Sequence, residues 1–586
     1  MAALISPLAS SARAGDVRRE DAICNAMHTW SVPKDESAQA AQIMAGTVNL
    51  GSYGTMNLAA NPNWAPQATL DLAGNRYQNS LHWALPLLRE GTKPGGEKLT
   101  ARFVALLHDW VKDHPKDKRG GWIDHEQYGG FRLGTWVCAN RLLTDPAQRT
   151  WVAGQMKIDL AVQLKRFTTT GANNTMLNSA LASYAAAGEV GTAKQRTSAL
   201  KNVNTLRPKL LNADGSDTEG APGYGSYLSQ ILLRTETVLT ARGAIAAAGA
   251  ARVSIDRQGD FLAQATRPDR NIESIGDGAL RKIASGIFAT DTAATWARTS
   301  GQQGLKPTRT YSRWSGGYVF GRSKWVKGKD LSSSYYSFRT STKAPATAHR
   351  HRDTTGVTFY SDGVSWIGDP GPYRYDTSAL RRFITTRAAH SALIASAPLT
   401  STAPGVLLPV SPSKAADKTC VRDGAYELAG IGLTRCVYYL RTIDVLVVQD
   451  LVAGTDAVAN VTQQWVLPPG VSSTPGAVAG EFRLTGTTST GLVRSARMLT
   501  SSPAMITAAG PVLGRFGTIY GEQQPGSVIR LPIIVPAGTT QQALTVVGTG
   551  DRPLSFVPGM SDDGRTTLKV TAGASTQTVV LPVSAP

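Results

Sequence analysis

Several absences limit the classes of protein to which this chain can belong. Its 586 residues contain no run of eighteen or more apolar side chains, so no membrane-spanning helix is expected. It has a formal net charge of +19 but lacks a long Lys/Arg-rich run, an aromatic–basic repeat or a nucleic-acid motif, which disfavours nucleic acid as the partner. The positive charge then favours another polyanion, such as an acidic polysaccharide, unless the excess arginine is a compositional habit of an Ala- and Gly-rich chain.

Cysteine is also scarce, with four residues in the whole chain. Cys420 and Cys436 flank a predicted pair of strands and could form a disulfide. Cys24 and Cys138 are either a second bridge or two buried thiols. This usage fits an exported protein only weakly.

The N-terminal stretch lacks the basic leader of an export signal, but it is apolar and rich in small residues. It ends in Ala12-Arg13-Ala14, which resembles a signal-peptidase site. We therefore expect residues 1–20 to be the remnant of an export signal, and the protein to be secreted or periplasmic.

From about residue 20 to 300, apolar residues recur at spacings of three and four, which predicts helices. Amphipathic stretches are predicted at 99–110, 136–143, 156–164, 176–187 and 228–248. Many helices in series with no strand between them indicate a bundle, a solenoid or a toroid.

From residue 311 the pattern changes to short β-rich runs separated by turns, which predicts a sandwich of strands. The last part of the chain is rich in Thr, Val and Gly and predicts a small terminal β unit. The expected order is a helical domain at 21–300, a sandwich at 301–504 and a small β domain at 505–586.

Three of the eight histidines gather near a predicted β-hairpin at 357–367. His349 and His351 are expected on a strand, where residues two apart share a face, so one imidazole could face a substrate cleft while its neighbour binds a metal. His390 is expected on a further strand. His351, Asp369 and His390 form a set that suits zinc, which accepts imidazole nitrogen and carboxylate oxygen. The alternative is ordinary polar side chains at a sheet edge.

The wider region contains four motifs in a fixed order. They are Arg322-Ser323-Lys324-Trp325, His349-Arg350-His351-Arg352-Asp353, Asp369-Pro370-Gly371-Pro372-Tyr373 and Ala389-His390-Ser391. This order resembles the sandwich domain of the heparinase II/III-like polysaccharide lyases, with its Arg-x-x-Trp, His-x-His-x-Asp, Asp-x-Gly-x-Tyr and Ala-His-Asn motifs. The resemblance is close over 311–400 and looser over most of the remaining chain. Ser391 stands where the family usually has Asn.

One loop of the helical half resembles an Asn-Asn-His element of the same lyases, in which Asn binds the substrate carboxylate. Here it reads Gly-Ala-Asn-Asn-Thr, so the resemblance assigns this role to Asn173 and Asn174. Thr175 stands where many relatives have His, which moves the expected base to Tyr224 or His349. A structural alternative is that Asn173 caps the following helix.

A second loop, at 214–224, is similar to the family's Asp-Gly, Glu, Ser-Pro-x-Tyr-His pattern. Tyr224 takes the position of the catalytic tyrosine, and Gly225 replaces the usual His. Glu219 is assigned to substrate binding, as is Tyr227, which is also the reserve candidate for the tyrosine. The structural alternative is that Tyr224 packs within its loop.

Other polar and aromatic residues of the helical half are candidates for sugar binding. Arg132 could hold an acidic sugar because a guanidinium pairs well with carboxylate or sulfate, although a structural ion pair is equally compatible with the sequence. Trp83, Trp122 and Trp136 could stack on sugar rings or pack in the core.

The resemblance implies an α/α toroid followed by an antiparallel β-sandwich, with the active site between them. It implies β-elimination on a uronic-acid-containing polysaccharide. Asn173 or Asn174 would stabilise the developing enolate. Tyr224 or His349 would remove the C5 proton, and Tyr224 would protonate the leaving oxygen. A structural divalent metal, zinc, would fix the sandwich loops.

Two other functions are compatible with the sequence. A glycoside hydrolase on a helical toroid could use Asp214 and Glu219, or Asp124 and Glu126, as paired carboxylates. A secreted polysaccharide-binding protein could carry the same scaffold with a decayed site.

Overall fold

The computed structural model describes most of the chain. The described segments are 21–28, 35–50, 54–58, 62–67, 70, 72–119, 126–167, 173–328, 331–340, 349–374, 377–399, 405–409, 413–501, 509–516 and 524–582. The expected export-signal remnant at 1–20 lies outside the described residues, as do Trp122 and Asp124.

The described chain divides into two compact units. The first, here called the helical unit, comprises the residues up to Leu210 together with Gln230–Ser254. The second, here called the sheet unit, comprises Leu211–Ser229 and the residues from Ile255 onward.

Helices in series dominate the first half of the described chain. They are α1 Ala22–His28, α2 Glu36–Met44, α3 Leu72–Gln78, α4 Leu85–Gly91, α5 Glu97–Asp113, α6 Glu126–Leu142, α7 Pro146–Arg166, α8 Asn174–Val190, α9 Ala193–Leu206, α10 Pro222–Ala241 and α11 Ile245–Ala265. A short antiparallel pair, β1 Thr47–Asn49 and β2 Thr55–Asn57, lies among them.

The predicted apolar faces of these helices form the core of the helical unit. On α5, the side chains of Phe103, Leu106, Leu107 and Trp110 are buried, as their spacing predicts. Helix α6 packs against α1, α7 and α8, and its residues 128–139 are all buried. This central position explains why α6 shows no polar face.

The stretch predicted as one helix at 228–248 is two helices. Helix α10 ends at Ala241, Gly243 adopts a φ of 75°, and α11 begins at Ile245. The backbone N–H of Ala244 donates to the carbonyl of Leu239, which satisfies a terminal carbonyl of α10. A glycine in this left-handed conformation ends a helix at little steric cost, so the apolar periodicity continues through a turn that it does not reveal.

Twenty strands are described in the sheet unit, all paired antiparallel. They are β3 Tyr311–Trp314, β4 Tyr318–Arg322, β5 Tyr335–Arg339, β6 Val357–Ser361, β7 Val364–Ile367, β8 Leu393–Ala395, β9 Val406–Leu407, β10 Ala416–Asp423, β11 Ile431–Leu440, β12 Val445–Gly454, β13 Ala459–Leu467, β14 Val471–Pro475, β15 Glu481–Thr487, β16 Val493–Thr500, β17 Ala509–Phe516, β18 Gln524–Val535, β19 Thr539–Thr549, β20 Leu554–Met560, β21 Thr566–Ala572 and β22 Ser575–Val580. A short helix, α12 Ala293–Thr299, precedes β3, and another, α13 Ala379–Ile384, lies between β7 and β8.

These strands form four sheets within the described residues. Strands β3 to β7 make a five-stranded sheet in chain order, and an eight-stranded sheet has the order β14-β15-β16-β19-β12-β11-β10-β9. A four-stranded sheet has the order β17-β18-β13-β8, and β20-β21-β22 stands as a small separate sheet. The predicted fold class, helices followed by antiparallel sheets and a small C-terminal β unit, is confirmed.

The sandwich core explains the continuous apolar run of β12. On one face of this strand, Val448 belongs to a buried cluster that contains Trp366 of β7. On the opposite face, Val447 packs in a second cluster with Val570 of the small sheet. A strand covered on both faces has no need of polar alternation.

Both cysteine pairs form disulfides. Cys24 of α1 is bonded to Cys138 of α6, so this pair is a bridge rather than two thiols. Cys420 and Cys436 face each other across β10 and β11 and form the predicted disulfide. Each of these bridges joins elements of a single compact unit.

The boundary of the sheet unit is set by side-chain packing and does not coincide with the change of sequence pattern near residue 300. Residues 261–297 pack apolar side chains such as Phe261 and Ile272 against Trp314 and Tyr318 of the five-stranded sheet. Near the C-terminus, β18 belongs to the four-stranded sheet and β19 to the eight-stranded sheet, and among the described strands of this region only β20 to β22 form a sheet of their own.

No helix in the described segments is both long enough and apolar enough to span a bilayer.

Candidate functional site

Side-chain hydrogen bonds fix the loop that precedes α10. The Asp217 carboxylate accepts from the backbone N–H of Gly220 at 2.7 Å and from the Tyr318 hydroxyl at 3.0 Å. Asp214 accepts from the backbone N–H of Ser315 at 2.6 Å. Because these bonds join the loop to the five-stranded sheet, they set the position at which α10 begins.

Tyr224, in the first turn of α10, stacks on His349. Their ring centroids are 3.7 Å apart and the planes differ by 18°. Tyr224 is partly exposed, and 17% of the His349 side chain is accessible. The structure therefore brings together a phenol and an imidazole, the two side chains that the sequence assigned to proton transfer.

The segment that carries His349 and His351 is a loop, not the predicted strand. Both imidazoles nevertheless reach one carboxylate, that of Asp277. His349 Nδ1 lies 3.3 Å from Asp277 Oδ2, and His351 Nε2 lies 3.0 Å from Asp277 Oδ1. The two histidines share a side because Asp277 binds both, and not because of strand alternation.

Asp277 is a residue that the sequence reasoning missed. It is buried, and Arg381 of α13 also donates to it, with Nη2 at 2.9 Å from Oδ2. Burial alone would raise the pKa of Asp277, but the hydrogen bonds from His349, His351 and Arg381 outweigh it and hold that pKa well below its usual range. In the sequence, Asp277 is marked only by a glycine on each side, which is a weak signal.

His351, Asp369 and His390 offer ligand atoms that all lie within 4.8 Å of one another. His351 and His390 are fully buried, and His351 Nδ1 has no hydrogen-bond partner among the described residues. His390 Nδ1 lies 2.7 Å from Asp369 Oδ2. A buried imidazole nitrogen without a partner is costly unless something binds it, so this set fits a divalent metal ion.

The His390 ring follows a short 3-10 helix at Arg387–Ala389 and precedes β8, so it lies outside the strand predicted for it. Burial lowers the pKa of His390, but the Asp369 carboxylate beside it more than compensates and raises that pKa above its ordinary value.

Glu219 and Tyr227 lie close to the Tyr224 pair in the chain. Glu219 is buried, and its Oε2 lies 3.6 Å from His349 Nε2, slightly beyond hydrogen-bond distance. Tyr227 is partly exposed and follows Tyr224 by three residues on α10, so the two side chains share a face of the helix.

Asn173 and Asn174 belong to the helical unit. Asn173 is exposed and caps α8: its Oδ1 accepts from the backbone N–H of Met176 at 2.9 Å and from the Thr175 hydroxyl at 2.7 Å. The capping alternative is therefore observed. In this cap only the Oδ1 atom of Asn173 is used, and the Nδ2 amide group is the part of the side chain that can donate a hydrogen bond. The Asn174 side chain, in contrast, is buried.

Arg132 and Trp136 do not face solvent, in contrast to their assignment to substrate binding. Both side chains are fully buried. Arg132 Nε donates to Asp159 at 2.8 Å and the Trp136 indole donates to the same carboxylate at 2.6 Å. The structural ion pair and the core alternative account for these two residues, and Trp83 is buried in the same way.

Comparison with known proteins matches part of the sheet unit to a family. Residues 316–498 match the family model described as Heparinase II/III-like, C-terminal. Residues 316–498 therefore belong to the heparinase II/III-like family. This heparinase II/III-like domain contains His349, His351, Asp369 and His390, whereas Tyr224 precedes it in the chain.

Solved structures extend the similarity of fold beyond the heparinase II/III-like domain. A heparan sulfate lyase mutant from Pedobacter heparinus has a TM-score of 0.75 and 16% identity, with 97% of this chain and 94% of that chain covered. A structure of heparinase III has a TM-score of 0.77 and 15% identity, with 94% and 92% covered. A chondroitin AC lyase mutant from Streptomyces coelicolor A3 has a TM-score of 0.51 and 12% identity, with 94% and 92% covered. No curated protein matches the chain.

Proposed function

We propose that this protein is a polysaccharide lyase that cleaves a uronic-acid-containing polysaccharide by β-elimination. The observation that carries the proposal is the stacked pair of Tyr224 and His349. A phenol and an imidazole, both side chains able to transfer protons, lie side by side there, and His349 belongs to the heparinase II/III-like domain. The structurally similar proteins include lyases that act on heparan sulfate and chondroitin, which supports the same reaction class.

The reaction requires a base, an acid and a way to stabilise negative charge. His349 or Tyr224 takes the proton from C5, the electron pair forms the C4–C5 double bond, and the bond from C4 to the glycosidic oxygen breaks. Tyr224 gives a proton to the leaving oxygen. The Glu219 carboxylate, 3.6 Å from His349 Nε2, would favour the imidazolium that forms when His349 accepts the proton.

The C5 proton is too weakly acidic to leave unless the neighbouring carboxylate is stabilised as an enolate. We assign this task to Asn173, with Asn174 as the second candidate. The cap geometry supports Asn173, because its Oδ1 is already engaged by Thr175 and Met176 and its Nδ2 is the group that can donate to a carboxylate.

We further propose that the ion held by His351, Asp369 and His390 is zinc. When bound, zinc would supply a structural cross-link between three loops of the sheet unit. Its ligands are not proposed to transfer protons; their task is to hold the segment that carries His349.

We also propose that the protein is exported and that its substrate is a polyanion. The disulfides support the first proposal and the net charge supports the second. Two disulfides link residues 114 and 16 positions apart, and such bridges persist in oxidising compartments. The net charge of +19 favours association with a sulfated or carboxylated polysaccharide by long-range attraction.

Asp214, one carboxylate that the hydrolase alternative would use, is already engaged in hydrogen bonds and does not suit the role of general acid. Burial raises the pKa of Asp214, but hydrogen bonds from Ser315 and Ser216 outweigh it, so the pKa is lowered. A general acid needs the opposite shift. Asp214 serves instead to hold the loop before α10, and Asp124 lies outside the described residues.

A screen of acidic polysaccharides, read by ultraviolet absorbance, tests the proposal. Elimination creates an unsaturated uronic acid that absorbs, whereas hydrolysis does not. Heparan sulfate and chondroitin sulfate are the first substrates to test, followed by hyaluronan and alginate. Reducing ends that appear without absorbance would identify a hydrolase, and binding without any product would identify a binding protein.

A further inference from the structure

The Asp277 carboxylate is the point at which the two histidines of the loop and Arg381 meet. We propose that Asp277 is a positioning residue that orients both imidazoles at once, the one assigned to proton transfer and the one assigned to the metal. The part that concerns His349 rests on the lyase function proposed above, whereas the part that concerns His351 does not.

The two oxygens of Asp277 are divided between the two rings. Oδ1 contacts His351 Nε2 at 3.0 Å, and Oδ2 contacts His349 Nδ1 at 3.3 Å. A carboxylate only accepts hydrogen bonds, so each of these ring nitrogens must carry its hydrogen. One side chain thereby selects which nitrogen of each neutral ring carries no hydrogen.

In each ring, the nitrogen that carries no hydrogen is the one needed for the proposed role, metal binding in His351 and proton transfer in His349. His351 Nδ1 is buried and has no partner among the described residues, as expected for a metal ligand. On His349 the nitrogen without a hydrogen is Nε2, which is the atom that can accept a proton. A carboxylate that binds the far nitrogen of a ligating histidine is a common device for orienting it.

The backbone around Asp277 holds the same loop. The N–H of Asp277 donates to the carbonyl of His349 at 3.0 Å. The preceding Gly276 has a φ of 57°, and a Cβ atom there would lie 2.6 Å from the His349 carbonyl oxygen and 2.8 Å from that of Gly220. Any larger residue would push the loop of His349 away, so this approach requires glycine.

Arg381 fixes the carboxylate itself. Its Nη1 and Nη2 each donate to one oxygen of Asp277, a two-point contact that sets the plane of the carboxylate. Arg381 thus leaves Asp277 little freedom to rotate between the two rings. The orientation of both imidazoles is therefore set before any ligand binds.

The test compares Asp277→Ala and Asp277→Asn with the wild-type protein. Zinc affinity is measured by competition with a chromogenic chelator, and kcat and KM are measured on the polysaccharide that the wild type cleaves. We expect Asp277→Ala to lower zinc affinity by about 10–100-fold. We also expect a lower kcat with KM nearly unchanged. Asp277→Asn keeps one acceptor oxygen and the side-chain shape, so it reports on the same contacts if the alanine variant folds poorly.

Asp417→Asn is the matched control. Asp417 is also a buried aspartate of the sheet unit, but its described hydrogen-bond partners are Tyr336 and Arg441 rather than the two histidines. We expect this variant to lower the melting temperature while zinc affinity and kcat stay near the wild-type values. A loss of all three in both variants would mean that Asp277 has only a structural role.

Each other outcome is decisive. Zinc affinity unchanged in Asp277→Ala, or a wild type that takes up no zinc, overturns the inference. A fall in zinc affinity without a fall in kcat overturns the shared role, because Asp277 would then orient His351 alone. If the wild type cleaves no polysaccharide, the proposed function fails, but the zinc competition still decides whether Asp277 orients His351.

Discussion

Two buried aspartates with cationic neighbours behave differently in the two units. In the helical unit, Asp159 accepts from Arg119, Arg132 and Trp136, and every one of these side chains is sealed from solvent. In the sheet unit, Asp277 likewise accepts from three side chains. One of them, His349, remains 17% exposed and stacks on Tyr224.

The two clusters differ in how completely their polar groups are paired and buried. Around Asp159 the guanidinium of Arg132 also lies 4.5 Å from the Trp110 ring centroid, so this fully buried cation is enclosed by protein groups. Around Asp277, a buried nitrogen of His351 lacks a partner among the described residues and an imidazole reaches solvent. Between these two clusters, the unpartnered nitrogen of His351, rather than the presence of charge, is the feature that fits a bound ligand.

The largest expected effect is at Tyr224, beside the exposed imidazole. Tyr224→Phe removes only the hydroxyl, so we expect kcat to fall by about 10²–10⁴-fold while melting temperature and substrate binding stay nearly unchanged. Tyr311→Phe, which removes a partly buried hydroxyl that contacts Thr419, is the control and should retain activity. Activity of Tyr224→Phe within a few-fold of the parent would transfer the role to Tyr227.

Changes at three histidines of the sheet unit separate the proton-transfer role from the metal-binding role. His349→Ala should lower turnover by about 10²–10⁴-fold with metal content unchanged, because no ligand is lost. His351→Ala and His390→Ala should lose bound zinc and melt at lower temperature, with activity falling as a consequence. Metal analysis of the purified proteins is the measurement. Loss of zinc in His349→Ala would make both imidazoles ligands.

Asp159 provides the opposite test, a large effect on stability without an effect on chemistry. Asp159→Asn leaves Arg119 and Arg132 buried without their counter-charge, so we expect a loss of about 3–5 kcal/mol in the free energy of unfolding at pH 7. Denaturant titration measures this loss, and turnover per folded molecule should not change. A severalfold rise in the KM for the polysaccharide would instead support a role of Arg132 in substrate binding.

The wild type and Asp159→Asn should also differ in their pH dependence. Burial raises the pKa of Asp159, but the charges of Arg132 and Arg119 outweigh it, and the folded-state pKa is lowered. The stabilisation by Asp159 is therefore complete above its unfolded pKa of about 3.9 and is lost as the pH falls through the lower folded value. The stability difference between the two proteins should shrink only in that acidic range.

Trp136 gives the smallest predicted effect. Trp136→Phe removes the indole N–H that donates to Asp159 and keeps most of the apolar volume. Loss of one hydrogen bond to a charged group costs about 1.5–3 kcal/mol. Denaturant titration should show a loss in that range, and KM for the polysaccharide should not change. A higher KM would instead support stacking of Trp136 on a sugar ring.

Part of the sheet-unit site could be predicted from the sequence. The set His351, Asp369 and His390 was predictable because zinc restricts the ligand types and the motifs keep their order. Asp277 was not, since its partner His349 is 72 positions away and no motif links the two. Arg132 looked suited to an acidic sugar, but whether a guanidinium meets a sugar or a buried carboxylate depends on packing that a single sequence does not contain.

Local structure was likewise predicted from the sequence at some positions and not at others. The turn at Asp362 and Gly363 could be predicted because both residues tolerate the positive φ that such a hairpin needs. The helix break at Gly243 was hidden by continuous apolar spacing. The strand predicted at His349 is a loop, because alternation over three residues cannot distinguish the two.

The position of β19 has a consequence for the order of folding. This strand pairs with β12 on one side and β16 on the other, so it joins β14–β16 to β9–β12. Its residues, Thr539–Thr549, come late in the chain and beyond the heparinase II/III-like domain. During synthesis the eight-stranded sheet cannot be completed until these residues are available, and such long-range pairing is slow. Until these residues have been made, a nascent chain would therefore lack the strand that lies between β12 and β16 in this sheet.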